Sequence, residues 1–161
     1  MRRLSTLLIA LAASPALAAP EPALEPLAFL AGHCWKGTMP GAGDTDEHCF
    51  SWMYDGWYLR DRHVVRRGDK TMYEGESIYY WNSLERRVEY FYVTAAGGQA
   101  TGRMEVEGDA LVFPVARLAT GGKSLAFRSR WKRVGTDAYE VLREYETEKG
   151  WMPVTVLMKR Q

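Results

Sequence analysis

The chain has 161 residues, with 21 lysines and arginines against 20 aspartates and glutamates, and 12% of its residues are aromatic. This near-neutral charge argues against nucleic-acid and anionic-membrane partners, which select for a basic excess. The length fits a single domain. Beyond the N-terminal leader, no stretch approaches the roughly 18 apolar residues that a membrane span needs, so no membrane span is expected.

The first 19 residues have the pattern of a signal peptide. Arg2 and Arg3 form a positive region, residues 4–13 an apolar region, and residues 16–18 a small-residue cleavage signal. We therefore expect a signal peptide over 1–19 and one mature domain over 20–161, with 19 basic against 20 acidic residues. Such a protein would be periplasmic or secreted, where disulfides persist.

A proline-rich segment, residues 20–28, leads into the domain. Leu24, Leu27, Phe29 and Leu30 could form one helical turn, and Pro26 could stand near its start, where a missing N–H costs least. We expect this turn to plug one end of the fold.

From Gly32 onward the pattern predicts strands. Runs rich in Val, Tyr, Trp, Phe and Thr alternate with turn signals such as PGAGD, RGD, AAGG and TGG. The predicted strands are 32–38, 45–54, 57–66, 71–81, 86–95, 99–107, 110–118, 123–133, 138–147 and 151–160. About ten antiparallel strands in up-and-down order favour a closed all-β barrel, which has no free edges. A sandwich of the same strands is the alternative.

The opening residues carry a family resemblance. Leu27, Leu30, Gly32, Trp35 and Gly37 follow an L-x-x-L-x-G-x-W-x-G pattern with one extra residue, and the stretch resembles that of lipocalin-like and nitrobindin-like calycins. The strand spacing is also similar to lipocalin-like domains of secreted bacterial proteins. The resemblance implies a barrel around a ligand cavity.

Nitrobindin-like barrels bind haem through a histidine late in the chain. This chain has no histidine after His63, so the resemblance does not supply that ligand, and no cofactor is expected.

The first predicted hairpin brings the two cysteines together. A turn centred on residues 41–42 places Cys34 opposite Cys49 and Trp35 opposite His48. Opposed residues in antiparallel strands have Cα atoms about 4.5–5.5 Å apart, within the range that a disulfide accepts. The alternatives are a metal site that uses these thiols and a redox pair. Both fit less well, because His33 and Cys34 are neighbours on opposite faces and no C-x-x-C is present.

The same register places several polar side chains inside. If Trp35 points inward, so do His48 and, after a tight turn at Asp55-Gly56, Asp61 and His63, with the two histidines opposite each other. Two imidazoles and a carboxylate could bind a divalent metal or move protons. The alternative is a group of hydrogen-bonded polar residues near the barrel rim.

Arg143 lies on the more apolar face of the ninth predicted strand, between Val141 and Tyr145. An arginine there could bind an anionic ligand head group in a bidentate manner. An internal ion pair and a stem that extends to the rim are the alternatives.

The nucleophile motifs G-x-S-x-G and H-E-x-x-H, the P-loop and G-x-G-x-x-G are all absent. The leading hypothesis is therefore an exported lipocalin-like barrel that binds a small hydrophobic or amphipathic ligand without catalysis. The alternatives are a barrel enzyme or metal site centred on His48, Asp61 and His63, and a filled barrel that docks an envelope protein. The expected ligand-binding residues are Trp35, His48, Trp52, Tyr54, Tyr79, Trp81, Tyr90, Tyr92 and Arg143.

Overall fold

The computed structural model describes residues 19–161 except Ala42. The predicted signal peptide therefore lies, but for Ala19, outside the described residues. A 3₁₀ helix spans Pro22–Leu30, and a second 3₁₀ turn spans Tyr54–Gly56. The strands are β1 (Cys34–Thr38), β2 (Thr45–Met53), β3 (Tyr58–Arg67), β4 (Lys70–Asn82), β5 (Arg87–Thr94), β6 (Gln99–Glu107), β7 (Ala110–Thr120), β8 (Lys123–Arg133), β9 (Ala138–Thr147) and β10 (Gly150–Arg160).

The ten strands form a closed antiparallel barrel in up-and-down order, as the sequence predicts. Each strand pairs with the next in the chain, and β1 closes the barrel against β10 through Trp35–Arg160 and Lys36–Lys159. The sandwich alternative is wrong. Closure leaves no strand edge free to pair with another chain. No helix in the described part of the chain is long and apolar enough to cross a membrane.

The first hairpin has the predicted register. Cys34 pairs with Cys49 across β1 and β2, and their sulfurs form a disulfide with the two cysteines 15 residues apart in sequence. Because both thiols are joined in a disulfide that closes a hairpin, the structure supports neither the metal site that uses these thiols nor the redox pair. In the chain-entropy model a loop of this length contributes about 3 kcal/mol.

The N-terminal 3₁₀ helix closes one end of the barrel, and we call it the plug helix. Its apolar residues recur every third position, which matches the three residues per turn of a 3₁₀ helix, so Leu24, Leu27 and Leu30 are all buried on one side. Glu21 caps the helix through a side-chain oxygen that accepts from the Ala23 amide. The predicted helical plug is thus confirmed, but it is a 3₁₀ helix of nine residues, or about three turns, and not the single turn expected.

The two ends of the barrel are distinct. In an up-and-down barrel, the turns that follow β2, β4, β6 and β8 lie at the same end. The plug helix lies there too, because the Glu21 amide donates to the Gly56 carbonyl in the turn after β2. The turns that follow β1, β3, β5, β7 and β9 therefore lie at the opposite end. We call these the plug end and the open end.

Candidate functional site

A cavity of about 400 Å³ occupies the open-end half of the barrel. Met39 and Asp44, in the turn after β1, belong to its wall, so the cavity reaches the open end. The alternative of a completely filled barrel is therefore not supported. The wall combines aromatic and aliphatic side chains with a few polar groups, among them Tyr73, Ser77, Tyr79, Tyr90, Tyr92, Phe113, Leu118, Leu125, Phe127, Ser129, Trp131 and Tyr145.

Five of the nine predicted ligand-binding residues line this cavity. They come from four different strands, and strand alternation turns each of them inward. Their contact with a ligand remains a prediction. The five are His48, Tyr79, Tyr90, Tyr92 and Arg143.

The other four predicted residues lie elsewhere. Trp35 is fully buried beneath the plug helix, where its indole N–H donates to the Leu30 carbonyl at 3.1 Å. Trp52 and Trp81 are partly buried and pack against the apolar core near the plug end. Tyr54 is 72% exposed, so the expectation that it points inward is wrong.

Tyr54 turns outward because the strand ends one residue before it. Tyr54 and Asp55 both have left-handed backbone angles, with φ of 50° and 57°, so the strand alternation that carries Trp52 inward stops at Met53. The loop is longer than the two-residue turn expected at Asp55-Gly56. It keeps the predicted register all the same, since Met53 pairs with Tyr58.

A buried polar cluster forms one part of the cavity wall. His48 pairs with His63 across β2 and β3, and the two imidazole rings stack with centroids 4.1 Å apart. The Nδ1 atom of His48 lies 2.8 Å from Asp61 Oδ2. A fourth member, Asp46, brings its Oδ1 to 2.6 Å from His63 Nε2 and 3.4 Å from His48 Nε2. All four side chains are almost completely buried.

The two histidines have opposite electrostatic environments. Burial lowers the pKa of His48, but the carboxylates of Asp61 and Asp46 outweigh it and raise that pKa to about 9. Burial also lowers the pKa of His63, and the charge of His48 lowers it further, to about 4, against the opposing effect of Asp46. For Asp46, burial raises the pKa, but the adjacent His48 and His63 outweigh it and hold that pKa well below its usual value. Without any other cation, the cluster therefore holds its proton on His48.

A second polar group lies closer to the open end. The hydroxyls of Tyr73 and Tyr92 contact each other, and the Tyr92 ring lies directly over Gly75, where no Cβ stands in its way. A side chain at Gly75 would collide with this ring, so the close approach of the ring requires glycine there. The Tyr90 hydroxyl is buried with no hydrogen-bond partner among the described residues, and burial raises its pKa to about 12.

Among the described residues, Arg143 is the only arginine that lines the cavity. It forms no salt bridge with any described carboxylate, and its strand neighbour Glu144 points to the opposite face, where it pairs with Arg128 on the outer surface. Burial lowers the pKa of Arg143, but Tyr145 and Asp46 outweigh burial and raise that pKa above its usual value, so the side chain stays charged. The internal ion pair weighed for Arg143 is therefore not formed.

Sequence reasoning missed Asp46, Tyr73 and Tyr145 as members of the site. The signal for Asp46 was present, because it stands two residues before His48 on the same strand and must share its face. The sequence does not show which face of β4 carries Tyr73, because the length of the loop between β3 and β4 is ambiguous. The structure shows a register shift there, between Val65 and Arg66.

No protein-family model matches this chain, and no curated protein matches it significantly.

Proposed function

We propose that this protein is an exported, calycin-like barrel that binds a small, largely apolar ligand with an anionic group at one end. The observation that carries the proposal is Arg143, a guanidinium without a carboxylate partner on the wall of an aromatic cavity. The lipocalin-like opening motif and the predicted signal peptide support the family and the location.

The size of the cavity favours a small ligand. Ligand sites typically occupy about 300–1,000 Å³ and combine apolar walls with a few polar groups that fix orientation. The present cavity, about 400 Å³, stands near the lower limit and has that composition. Phe113, Leu118 and Phe127 would surround the apolar part of the ligand.

The charge of the wall favours an anionic head group. A guanidinium binds a carboxylate or phosphate through two parallel hydrogen bonds, which are shorter and stronger than neutral ones. Tyr73 and Tyr145 line the cavity beside Arg143 and offer hydroxyls to the same oxygens. Burial raises the pKa of Tyr73, so its hydroxyl keeps its proton and can donate.

We infer that Ser129 does not act as a nucleophile. The Ser129 hydroxyl accepts from the Trp131 indole at 2.9 Å and donates to the Leu142 carbonyl at 3.2 Å. Its proton is therefore directed to backbone and away from the histidines. This arrangement is unlike a nucleophile whose proton is taken by an adjacent base.

Calorimetric titration with decanoate and decanol tests the proposal. The two share an alkyl chain and differ in charge, and both are titrated into protein freed of metal ions with EDTA. We expect decanoate to bind more tightly than decanol, with the difference lost in Arg143→Met. The matched control Arg130→Met removes an exposed arginine from the outer face of β8 and should bind decanoate normally. Equal decanoate binding by Arg143→Met and the wild type would refute the role of Arg143.

A further inference from the structure

We propose that Asp46, His48 and His63 bind a divalent transition-metal ion of the zinc class, with a coordination position open to the cavity. Each of the three residues offers one ligand atom, and these atoms all lie within 4.8 Å of one another. Asp46 Oδ1 is 2.6 Å from His63 Nε2 and 3.4 Å from His48 Nε2. The inference goes beyond the proposed ligand binding and does not depend on it.

Two of the three atoms lack a hydrogen bond. Asp46 Oδ1 and His63 Nε2 are buried without a hydrogen-bond partner among the described residues, because the two atoms lie 2.6 Å apart but not in the geometry of a hydrogen bond. A buried polar atom left without a partner costs roughly 1–3 kcal/mol, and such atoms are rare in folded proteins. A cation bound by both atoms would satisfy them together.

His48 has the outer partner that metal-binding histidines usually have. Its Nδ1 donates to Asp61 at 2.8 Å, so Nε2 is the atom available to a metal ion, which would take the place of a proton on it. This Nε2 atom is 3.4 Å from Asp46 Oδ1. Two zinc ligands with bonds of about 2.0–2.1 Å in tetrahedral geometry stand roughly 3.3 Å apart, so this pair already has the required spacing. Asp61 is then the carboxylate that orients the ligand.

The charge of the cluster matches a divalent ion. Asp46 and Asp61 are both buried, at 4% and 2% exposure, and a divalent ion that displaces the proton of His48 would balance their two negative charges. Buried charges are tolerated when they are paired or coordinate a metal. A mixed imidazole and carboxylate set suits zinc, iron and cobalt better than calcium or magnesium.

Coordination requires one local adjustment. The rings of His48 and His63 are nearly parallel, 15° apart, so His63 must turn about its Cβ–Cγ bond to aim its lone pair at a shared ion. The 2.6 Å separation from Asp46 would then widen toward roughly 3.3 Å. No hydrogen bond among the described residues holds the His63 ring, so this rotation breaks none.

The open position follows from where the cluster lies. His48 and His63 both line the cavity, so an ion held by three protein atoms would face it with its remaining position. Three protein ligands with one open position are typical of catalytic zinc sites, whereas structural sites are closed by four.

Metal titration of the full mature protein tests the proposal. Protein freed of metal with EDTA is titrated with Zn²⁺ by calorimetry and with Co²⁺ by visible absorption, which reports the coordination geometry. We expect one ion per chain and a tetrahedral Co²⁺ spectrum. Asp46→Asn and His63→Gln should weaken Zn²⁺ binding at least about tenfold, and Asp61→Asn about 10–100-fold while it keeps the Co²⁺ spectrum. The matched control His33→Gln changes the remaining histidine and should bind normally.

Two results would overturn the proposal. One is a wild-type protein that takes up neither ion; the other is uptake that Asp46→Asn and His63→Gln leave unchanged, which means adventitious surface binding. If a variant fails to fold, nitrogen NMR of the wild-type imidazoles decides. Added Zn²⁺ must then shift Nε2 of His48 and His63 and leave His33 unaffected.

Discussion

The two halves of the barrel are built from the same ten strands but use their interiors differently. In the plug half, Leu24, Leu27 and Leu30 pack against Trp35, and the one polar atom of Trp35 donates to a backbone carbonyl. In the open half, a cavity remains, and Arg143 on its wall pairs with no carboxylate in the described part of the chain. Complete packing serves stability, whereas unpaired polar groups around a void are a feature of binding sites.

The largest effect should come from Trp35→Ala in the plug half. Removal of a fully buried indole beneath the plug helix should lower the free energy of unfolding by about 3–5 kcal/mol. Urea denaturation followed by circular dichroism measures it. The control Trp57→Ala truncates a tryptophan that is 61% exposed at the same end and should cost no more than about 0.5 kcal/mol. Equal losses in the two variants would contradict a packed plug half.

Removal of the disulfide should come next. The pair Cys34→Ser with Cys49→Ser frees a loop of 15 residues, and we expect the free energy of unfolding to fall by about 3 kcal/mol. Reduction of the wild type with dithiothreitol should reproduce the loss in thermal unfolding. Decanoate affinity of the folded variant should stay unchanged, because both cysteines lie outside the cavity wall. A lost affinity would show that the halves are coupled.

A substitution that fills the cavity should abolish ligand binding and leave the free energy of unfolding almost unchanged. Leu118 lines the open half, and Leu118→Trp would occupy the void with an indole. We expect decanoate binding to be lost while the free energy of unfolding changes by less than about 1 kcal/mol, since the void accepts the added volume. Leu118→Met conserves the volume and should bind normally. A strongly destabilised Leu118→Trp would indicate that the open half is already packed.

The smallest effect is the pH dependence of stability in metal-free protein, and it arises in the open half. The raised pKa of His48 stabilises the fold fully below pH 6.5, and this contribution is lost as the pH rises toward 9. The lowered pKa of His63 acts in reverse, so its contribution is lost as the pH falls from 6.5 toward 4, and that of Asp46 is lost at lower pH still. With Asp61 and Arg143 as the charged neighbours, we expect a maximum near pH 6.5 in urea denaturation. A stability that rises steadily from pH 6 to 9 would contradict the assigned charges.

The sequence predicts the barrel well because its information there is local. Turn residues mark where each strand ends, and counting from the turn gave the pairings of Cys34 with Cys49 and of His48 with His63, both confirmed. Counting failed at Tyr54, where left-handed backbone angles end the alternation. Counting also could not decide which face carries Tyr73, because the residues alone do not fix the length of the turn before it.

The sequence predicts a plug at one end of the barrel, but not which inward side chains the plug would cover. Trp35, Trp52 and Tyr79 all alternate inward, but only Tyr79 faces the cavity, because the plug helix covers one end of the barrel and leaves the other. How far the packed core extends from the plug depends on contacts between distant segments. The lack of a described carboxylate partner for Arg143 likewise depends on which side chains the other strands bring to the cavity wall.

Methyl NMR during a decanoate titration tests the central claim most directly. With leucine methyl groups labelled, we predict saturable shifts at Leu118 and Leu125 on the cavity wall and none at Leu24, Leu27 and Leu30 under the plug helix. Binding that leaves Leu118 and Leu125 unchanged, or that shifts both groups alike, would contradict a ligand site confined to the open half.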